Sequence, residues 1–187
     1  MRLIFIRHGE PNYEKDCLTA IGKEQAELAA QRLAEEKIEE IWTSPLGRAV
    51  ETAEATHRVL GLPVKTLDFM REVTWGSTDQ TELFAGGHPW EITNEMARLG
   101  LNLNDPNWRE TPFFKTNRVL DCIDQIEAGI DKWLADFGFI RDGLYYRNEK
   151  EEPAHRTIAL FCHGGSSAAA IGHILNLPFP YVCALLH

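Results

Sequence analysis

Two short runs of this chain are apolar without interruption, Leu3-Ile4-Phe5-Ile6 and Ile158-Ala159-Leu160-Phe161-Cys162, the second led by Thr157. Neither alternates with polar positions, so both read as strands of a parallel sheet covered by helices on both faces. Between them the period lengthens. Thr19 can cap a helix over residues 20–36, with Ile21, Leu28, Ala29 and Leu33 as a loose apolar stripe. Residues 38–43 form a short strand ending at Ser44-Pro45, where serine followed by proline predicts the start of a helix that runs to Leu60 and stops at Gly61 and Pro63. Residues 63–67 give a third strand. Such a β-α-β-α-β order requires right-handed crossovers and a parallel sheet, hence an α/β fold of three layers, α/β/α, with a mostly parallel sheet.

From Asp68 to about Pro112 this pattern is lost. The stretch 75–112, with a short helix near 90–99, reads as a partly helical insertion over the C-terminal ends of the strands, so residues 1–187 form a single domain. From about Thr116 a long helix is predicted by Val119, Ile123, Ile126, Ile130, Trp133 and Phe137, with Gly138 ending it. Residues 139–155 look like a hairpin or irregular return with 144–146 as an edge strand. Ser166 or Ser167 can cap a last helix through 174 or 175.

Composition narrows the class. A length of 187 residues, 44% hydrophobic and 25% charged, suits one core. The net charge of −9 argues against a nucleic-acid or anionic-membrane surface, although a few converging cations still allow a small anionic ligand. The first apolar run is too short for a signal peptide or a membrane span, so a cytoplasmic location is expected. Cysteines 17, 122, 162 and 183 contain no CxxC pair and are expected to be reduced. Oligomerisation is left open.

Both buried runs end in histidine and glycine, as Arg7-His8-Gly9 and His163-Gly164-Gly165. If the strands are neighbours, both imidazoles lie in the crevice where ligands of open α/β sheets bind. A histidine after a strand is often only a loop residue, but two such ends, one led by arginine, suit a phosphoryl group. Arg7 can offer it paired donors, and Arg48, one turn into its helix, can reach back unless it is held by Glu51 or Asp68. Helix beginnings at Thr19, Ser44 and Ser166 add amide donors. A neutral imidazole could then attack phosphorus while an acid protonates the leaving alkoxide. Glu10, Glu72, Asp79 and Glu82 remain open as that acid.

Rival chemistries fit less well. Metal binding lacks HxxH, HExxH and CxxC, with only Glu10 and Asp16 near the first histidine, so neither metal nor cofactor is expected. Gly164-Gly165-Ser166-Ser167-Ala168 has alanine where a nucleophile elbow needs its last glycine. There is no phosphate loop or dinucleotide fingerprint.

The combination Arg7-His8-Gly9-Glu10, Leu18-Thr19 with Gly22 and Gln25-Ala26, Ser44-Pro45-Leu46-Gly47-Arg48-Ala49 with Thr52-Ala53, and His163-Gly164 resembles the histidine phosphatase superfamily, the phosphoglycerate mutase-like family. The resemblance implies that His8 becomes phosphohistidine, that Arg7, Arg48 and His163 complete a phosphate pocket, and that Glu72 is the proton donor. It also makes the insertion the part that covers the pocket, where His88 and Trp90 line the entrance or simply pack a turn. The loop from Pro11 to Leu18 is short and lacks the tryptophan of the mutases, which favours metal-independent hydrolysis of a small phosphomonoester. Mutase-type transfer and a non-catalytic phospholigand-binding module are the alternatives. Relatives continue past the match to 181–187 with another strand, so the chain is expected to be short of that strand, leaving a sheet edge open.

Overall fold

The two uninterrupted apolar runs lie side by side. In the computed structural model, which describes residues 1–149 and 156–186, Arg2–Arg7 and Thr157–Cys162 pair in parallel with Arg7 opposite Cys162. In chain order the elements are β1 (Arg2–Arg7), β2 (Pro11–Asn12), β3 (Cys17–Leu18), α1 (Ala20–Leu33), β4 (Glu40–Thr43), α2 (Gly47–Leu60), β5 (Val64–Thr66), α3 (Pro89–Arg98), α4 (Val119–Asp136), β6 (Phe139–Asp142), β7 (Tyr145–Asn148), β8 (Thr157–Cys162), α5 (Gly164–Leu175) and α6 (Phe179–Leu185). The main sheet is parallel throughout, in the order β1-β8-β4-β5. The expected α/β class therefore holds.

Two compact units divide the chain. The first takes residues 1–72 and the described residues of 150–167, and holds the main sheet with α1 and α2. Its core is Leu33, Ile38, Ile41, Ala53, Ala159 and Phe161, with Ile4, Ile6, Leu60, Leu62 and Val64 packed against them. A second cluster, Leu18, Ala26, Ala30 and Ala55, lies where α1 meets α2. This corrects the expected stripe on α1: Ile21 and Leu28 are exposed, and the buried face is Gly22, Ala26, Ala30 and Leu33. Small residues at these spacings let the two helices approach closely, so contact distance rather than side-chain size selects the face.

The second unit takes residues 73–149 and the described residues of 168–187. Every residue of the predicted stripe, from Val119 on α4 to Phe137 at its C-cap, is buried. Trp108 meets the Phe114 ring edge-on at 4.9 Å and lies 6.0 Å from Phe179 of α6. The expected hairpin is β6-β7, turned at Gly143 with φ 61°. Residues 150–155 of the charged loop and His187 lie outside the described residues.

Three helix starts behave differently. Thr19 caps α1 as predicted, its Oγ1 accepting from Gly22 N–H at 3.0 Å. The helix after Ser44-Pro45 starts only at Gly47, with Leu46 in extended conformation before it. And α5 begins at Gly164 instead of at a serine cap, because the carbonyl of His163 already accepts the Ser167 N–H at 3.0 Å. Among the described residues no single helix is long and apolar enough to cross a membrane.

Candidate active site

Register brings the candidate residues together. β8 lies between β1 and β4, and its carbonyls continue the pairing past both neighbours: Cys162 O accepts from His8 N–H at 3.1 Å, and Phe161 O accepts from Ser44 N–H at 2.8 Å. Three strand ends thus deliver His8, Ser44 and His163 to one place, with the two imidazole centres 5.1 Å apart and their planes tilted by 58°. The loop after His8 is clamped to α1 by an interlocked glycine pair. A Cβ on Gly9 would lie 2.5 Å from Gly22 O, and a Cβ on Gly22 would lie 2.2 Å from Glu10 O. No residue but glycine fits either position without moving backbone.

His8 is buried, and its Nδ1 lies 2.7 Å from the carbonyl oxygen of Gly9. A carbonyl only accepts, so Nδ1 carries the proton and Nε2 presents its lone pair. Arg48 Nε–H donates to that Nε2 at 3.3 Å. Burial lowers the His8 pKa, the Gly9 carbonyl opposes it, and the charges of Arg48 and Arg7 lower it further. The ring is held neutral, as a nucleophile needs.

Arg48 is buried too, and its ion pair is with neither Glu51 nor Asp68. Its Nη1 donates to Asp16 Oδ1 at 2.5 Å, while Asp16 Oδ2 accepts from Gly47 N–H at 2.7 Å. Partial burial works to raise the Asp16 pKa, but the bonds from Gly47 and Arg48 outweigh it and hold the carboxyl below its ordinary value. The approach is close enough that a Cβ on Gly47 would lie 2.1 Å from Asp16 O. On the same face of α2, Thr52 Oγ1 donates to Arg48 O at 2.7 Å and accepts from Gly9 N–H at 3.2 Å, tying the helix to the histidine loop.

His163 is fully buried, with Nε2 2.8 Å from Ser44 Oγ. Burial first, then the charges of Arg48 and His8, lowers its pKa to about 3. Its backbone N–H donates to Ser166 Oγ at 3.3 Å, and Ser166 N–H donates in turn to Glu72 Oε1 at 3.1 Å. The Glu72 carboxylate therefore sits at the first turn of α5, where the helix field favours negative charge.

The other acid candidates are placed elsewhere. Glu10 Oε1 accepts the Thr19 hydroxyl at 2.7 Å. Asp79 and Glu82 belong to the second unit, where Asp79 accepts from Ser77 Oγ and Thr81 N–H. Arg7 ends β1 exposed; its side chain makes no hydrogen bond or ion pair among the described residues, and its charge acts on both histidines. His88 packs into an aromatic turn, its ring 4.6 Å from Trp75 and 6.0 Å from Trp90.

The amide donors expected at the helix beginnings are taken by protein groups: Gly22 N–H by Thr19, Gly47 N–H by Asp16, and Ser166 N–H by Glu72. Sequence reasoning missed Asp16 and Thr52 as parts of the site, and saw Ser44 and Ser166 as helix starts offering amide donors and not for their side chains. The spacing of Thr52 four residues after Arg48 was a readable sign that both share one face. Among the described residues, no group of three or more His, Cys, Asp or Glu side chains could hold a metal ion.

The family model described as histidine phosphatase superfamily (branch 1) matches residues 3–133. A protein of Photorhabdus laumondii subsp. laumondii named "Probable phosphoglycerate mutase GpmB" is 33% identical over 187 residues, spanning 95% of this chain and 76% of its own. Among solved structures, mycobacterial glucosyl-3-phosphoglycerate phosphatase in complex with inorganic phosphate is similar with a TM-score of 0.62 and 26% identity, over 98% of this chain and 83% of that one. A phosphoserine phosphatase mutant from Entamoeba histolytica, in complex with phosphoserine, shares the fold at a TM-score of 0.57 and 20% identity, over 96% and 82%.

Proposed function

Because this chain belongs to the histidine phosphatase superfamily, we propose that it hydrolyses small phosphomonoesters through a phosphohistidine on His8, without a metal ion. The observation that carries the proposal is the Nδ1–H of His8 donating to Gly9 O at 2.7 Å, which leaves Nε2 as a buried lone pair beside the Arg48 guanidinium. Nε2 attacks phosphorus and the bond to the ester oxygen breaks. The departing alkoxide takes a proton from Glu72 and leaves as the alcohol. Water then gives a proton to the Glu72 carboxylate as its oxygen attacks phosphorus, and cleavage of the P–N bond releases phosphate and restores neutral His8. Gly9 O holds the Nδ1 proton throughout, which stabilises the positive ring of the intermediate. Arg48, Arg7 and His163 surround the phosphoryl oxygens, and most catalysis of this transfer comes from such positioning and charge.

The 33% identity to a protein named as a phosphoglycerate mutase keeps phosphoryl transfer to a second hydroxyl as the alternative. The short loop from Pro11 to Leu18 favours water. We place the enzyme in the cytoplasm, consistent with cysteines 17, 122, 162 and 183 standing as thiols.

The deciding experiment quenches the enzyme in alkali after exposure to a labelled phosphomonoester, over a panel that includes p-nitrophenyl phosphate, 3-phosphoglycerate and phosphoserine. Label on His8 together with release of inorganic phosphate is expected. Isomerised 3-phosphoglycerate without phosphate release would select the mutase, and binding of phosphate with no label or turnover would select the binding module.

A further inference from the structure

We propose that Ser44 is a positioning residue that fixes the tautomer of His163, so that the buried Nδ1–H of His163 donates to a phosphoryl oxygen. The second half of the proposal rests on the phosphatase reading, and the first half does not. Ser44 Oγ has two neighbours, the Leu46 N–H at 3.3 Å and His163 Nε2 at 2.8 Å. An amide only donates, so Oγ accepts from Leu46. The hydroxyl has one hydrogen left to give, and Nε2 is the group placed to receive it. Nε2 is then an acceptor, and the single proton of a neutral imidazole must sit on Nδ1.

The reverse arrangement strands two groups. If Nε2–H donated to Ser44, the serine hydrogen would have no acceptor among the described residues, and Nδ1 would be a bare lone pair in a fully buried ring. The arrangement proposed strands only the Nδ1–H, and only until an anion arrives. Nδ1 has no hydrogen-bond partner among the described residues. Its ring centre lies 5.1 Å from that of His8, and in the proposed arrangement the Nδ1–H turns toward a phosphoryl group on His8 Nε2. Buried polar groups left unpaired in the free protein are where a ligand is expected to supply the missing bond. The low pKa of His163 agrees with a neutral ring for which tautomer choice matters.

Imidazole nitrogen NMR of the full chain tests this, with the His163 signals assigned by their loss in His163→Gln. Protonated Nδ1 and unprotonated Nε2 in the wild type are expected, and the opposite tautomer would overturn the proposal. In Ser44→Ala the tautomer preference should collapse, and orthovanadate should bind about tenfold more weakly, the loss of one ordinary hydrogen bond. A retained tautomer with unchanged vanadate affinity would overturn it. Turnover of p-nitrophenyl phosphate by the same wild-type preparation reports separately on the phosphatase reading. No turnover would overturn that reading and the phosphoryl half of the proposal, while the tautomer measurement would still decide the role of Ser44.

Discussion

Gly22→Ala should destabilise the protein and slow it, although the same change in most helices does the opposite. In an exposed helix interior, alanine for glycine is worth about 1 kcal/mol of added stability. Here the new Cβ would lie 2.2 Å from Glu10 O, where contacts under 3.0 Å essentially do not occur, and the next atoms it meets, at 3.0 Å, are also backbone of Glu10. No flexible side chain can give way. Either α1 or the Gly9–Glu10 backbone must move by roughly 0.8 Å. Overpacking of this kind costs about 1–3 kcal/mol, and a backbone obstacle places it at the upper end, so the net loss is about 2 kcal/mol after the propensity gain. For a chain of this size that corresponds to a fall in Tm of about 4–8 °C.

The displacement also has an address. Gly9 supplies the carbonyl that holds His8 Nδ1–H, and a shift approaching an ångström at a reacting group costs about a hundredfold in rate. Urea denaturation followed by tryptophan fluorescence, with p-nitrophenyl phosphate kinetics on the same samples, measures both effects. A variant more stable than wild type by about 1 kcal/mol with unchanged kcat would refute the argument, since it would mean that the loop and helix are not in the contact described.

Other consequences can be checked directly. Arg48→Lys removes the bonds to both His8 Nε2 and Asp16, and kcat/KM should fall about a hundredfold, which steady-state kinetics will show. Glu72→Gln should slow turnover of alkyl phosphates more than of phenolic ones, because a poor leaving group needs the proton most; equal slowing across a leaving-group series would remove Glu72 from that role. His163 has a folded pKa near 3 against 6.5 for an ordinary imidazole, so the unfolded chain takes up its proton first as the pH falls. Its contribution to stability is therefore full above pH 6.5 and lost progressively toward pH 3, and urea midpoints should decline less steeply over that window in His163→Gln. Burial, opposed by the bond to Ser167, pushes the Cys162 thiol up to about 12, so thiol reagents at pH 8 should spare it in the native protein while labelling the half-buried Cys17 and Cys122.

What was legible in the sequence is what depends on period and on strand ends. Uninterrupted apolar runs marked both strands, and their shared His-Gly endings implied one crevice for two imidazoles if the strands were neighbours; the parallel register then sets the rings 5.1 Å apart. The α4 stripe was equally plain because six large apolar residues repeat at helical spacing. The α1 face was misread because Ile21 and Leu28 are larger than the alanines that are buried, and a scale of hydrophobicity cannot tell that the neighbouring helix lies too near for a large side chain.

Asp16 shows a different limit. It stands eight positions after His8 in a turn-rich loop, adopts a left-handed φ of 47°, and reaches both Arg48 and Gly47 only because Gly47 has no Cβ to block its backbone. Sequence spacing gives no account of a contact made across a sheet end by a loop in that conformation. Its physical necessity is clear afterwards: a guanidinium as buried as that of Arg48 needs an anion, and one carboxylate oxygen supplies it while the other satisfies the first amide of α2. In the reaction proposed above, a phosphoryl group entering beside His8 would meet an arginine already aimed by Asp16 on one side and by the His8 lone pair on the other. On that proposal no loose side chain would have to be ordered as the phosphoryl group binds, because Arg48 is already fixed by Asp16.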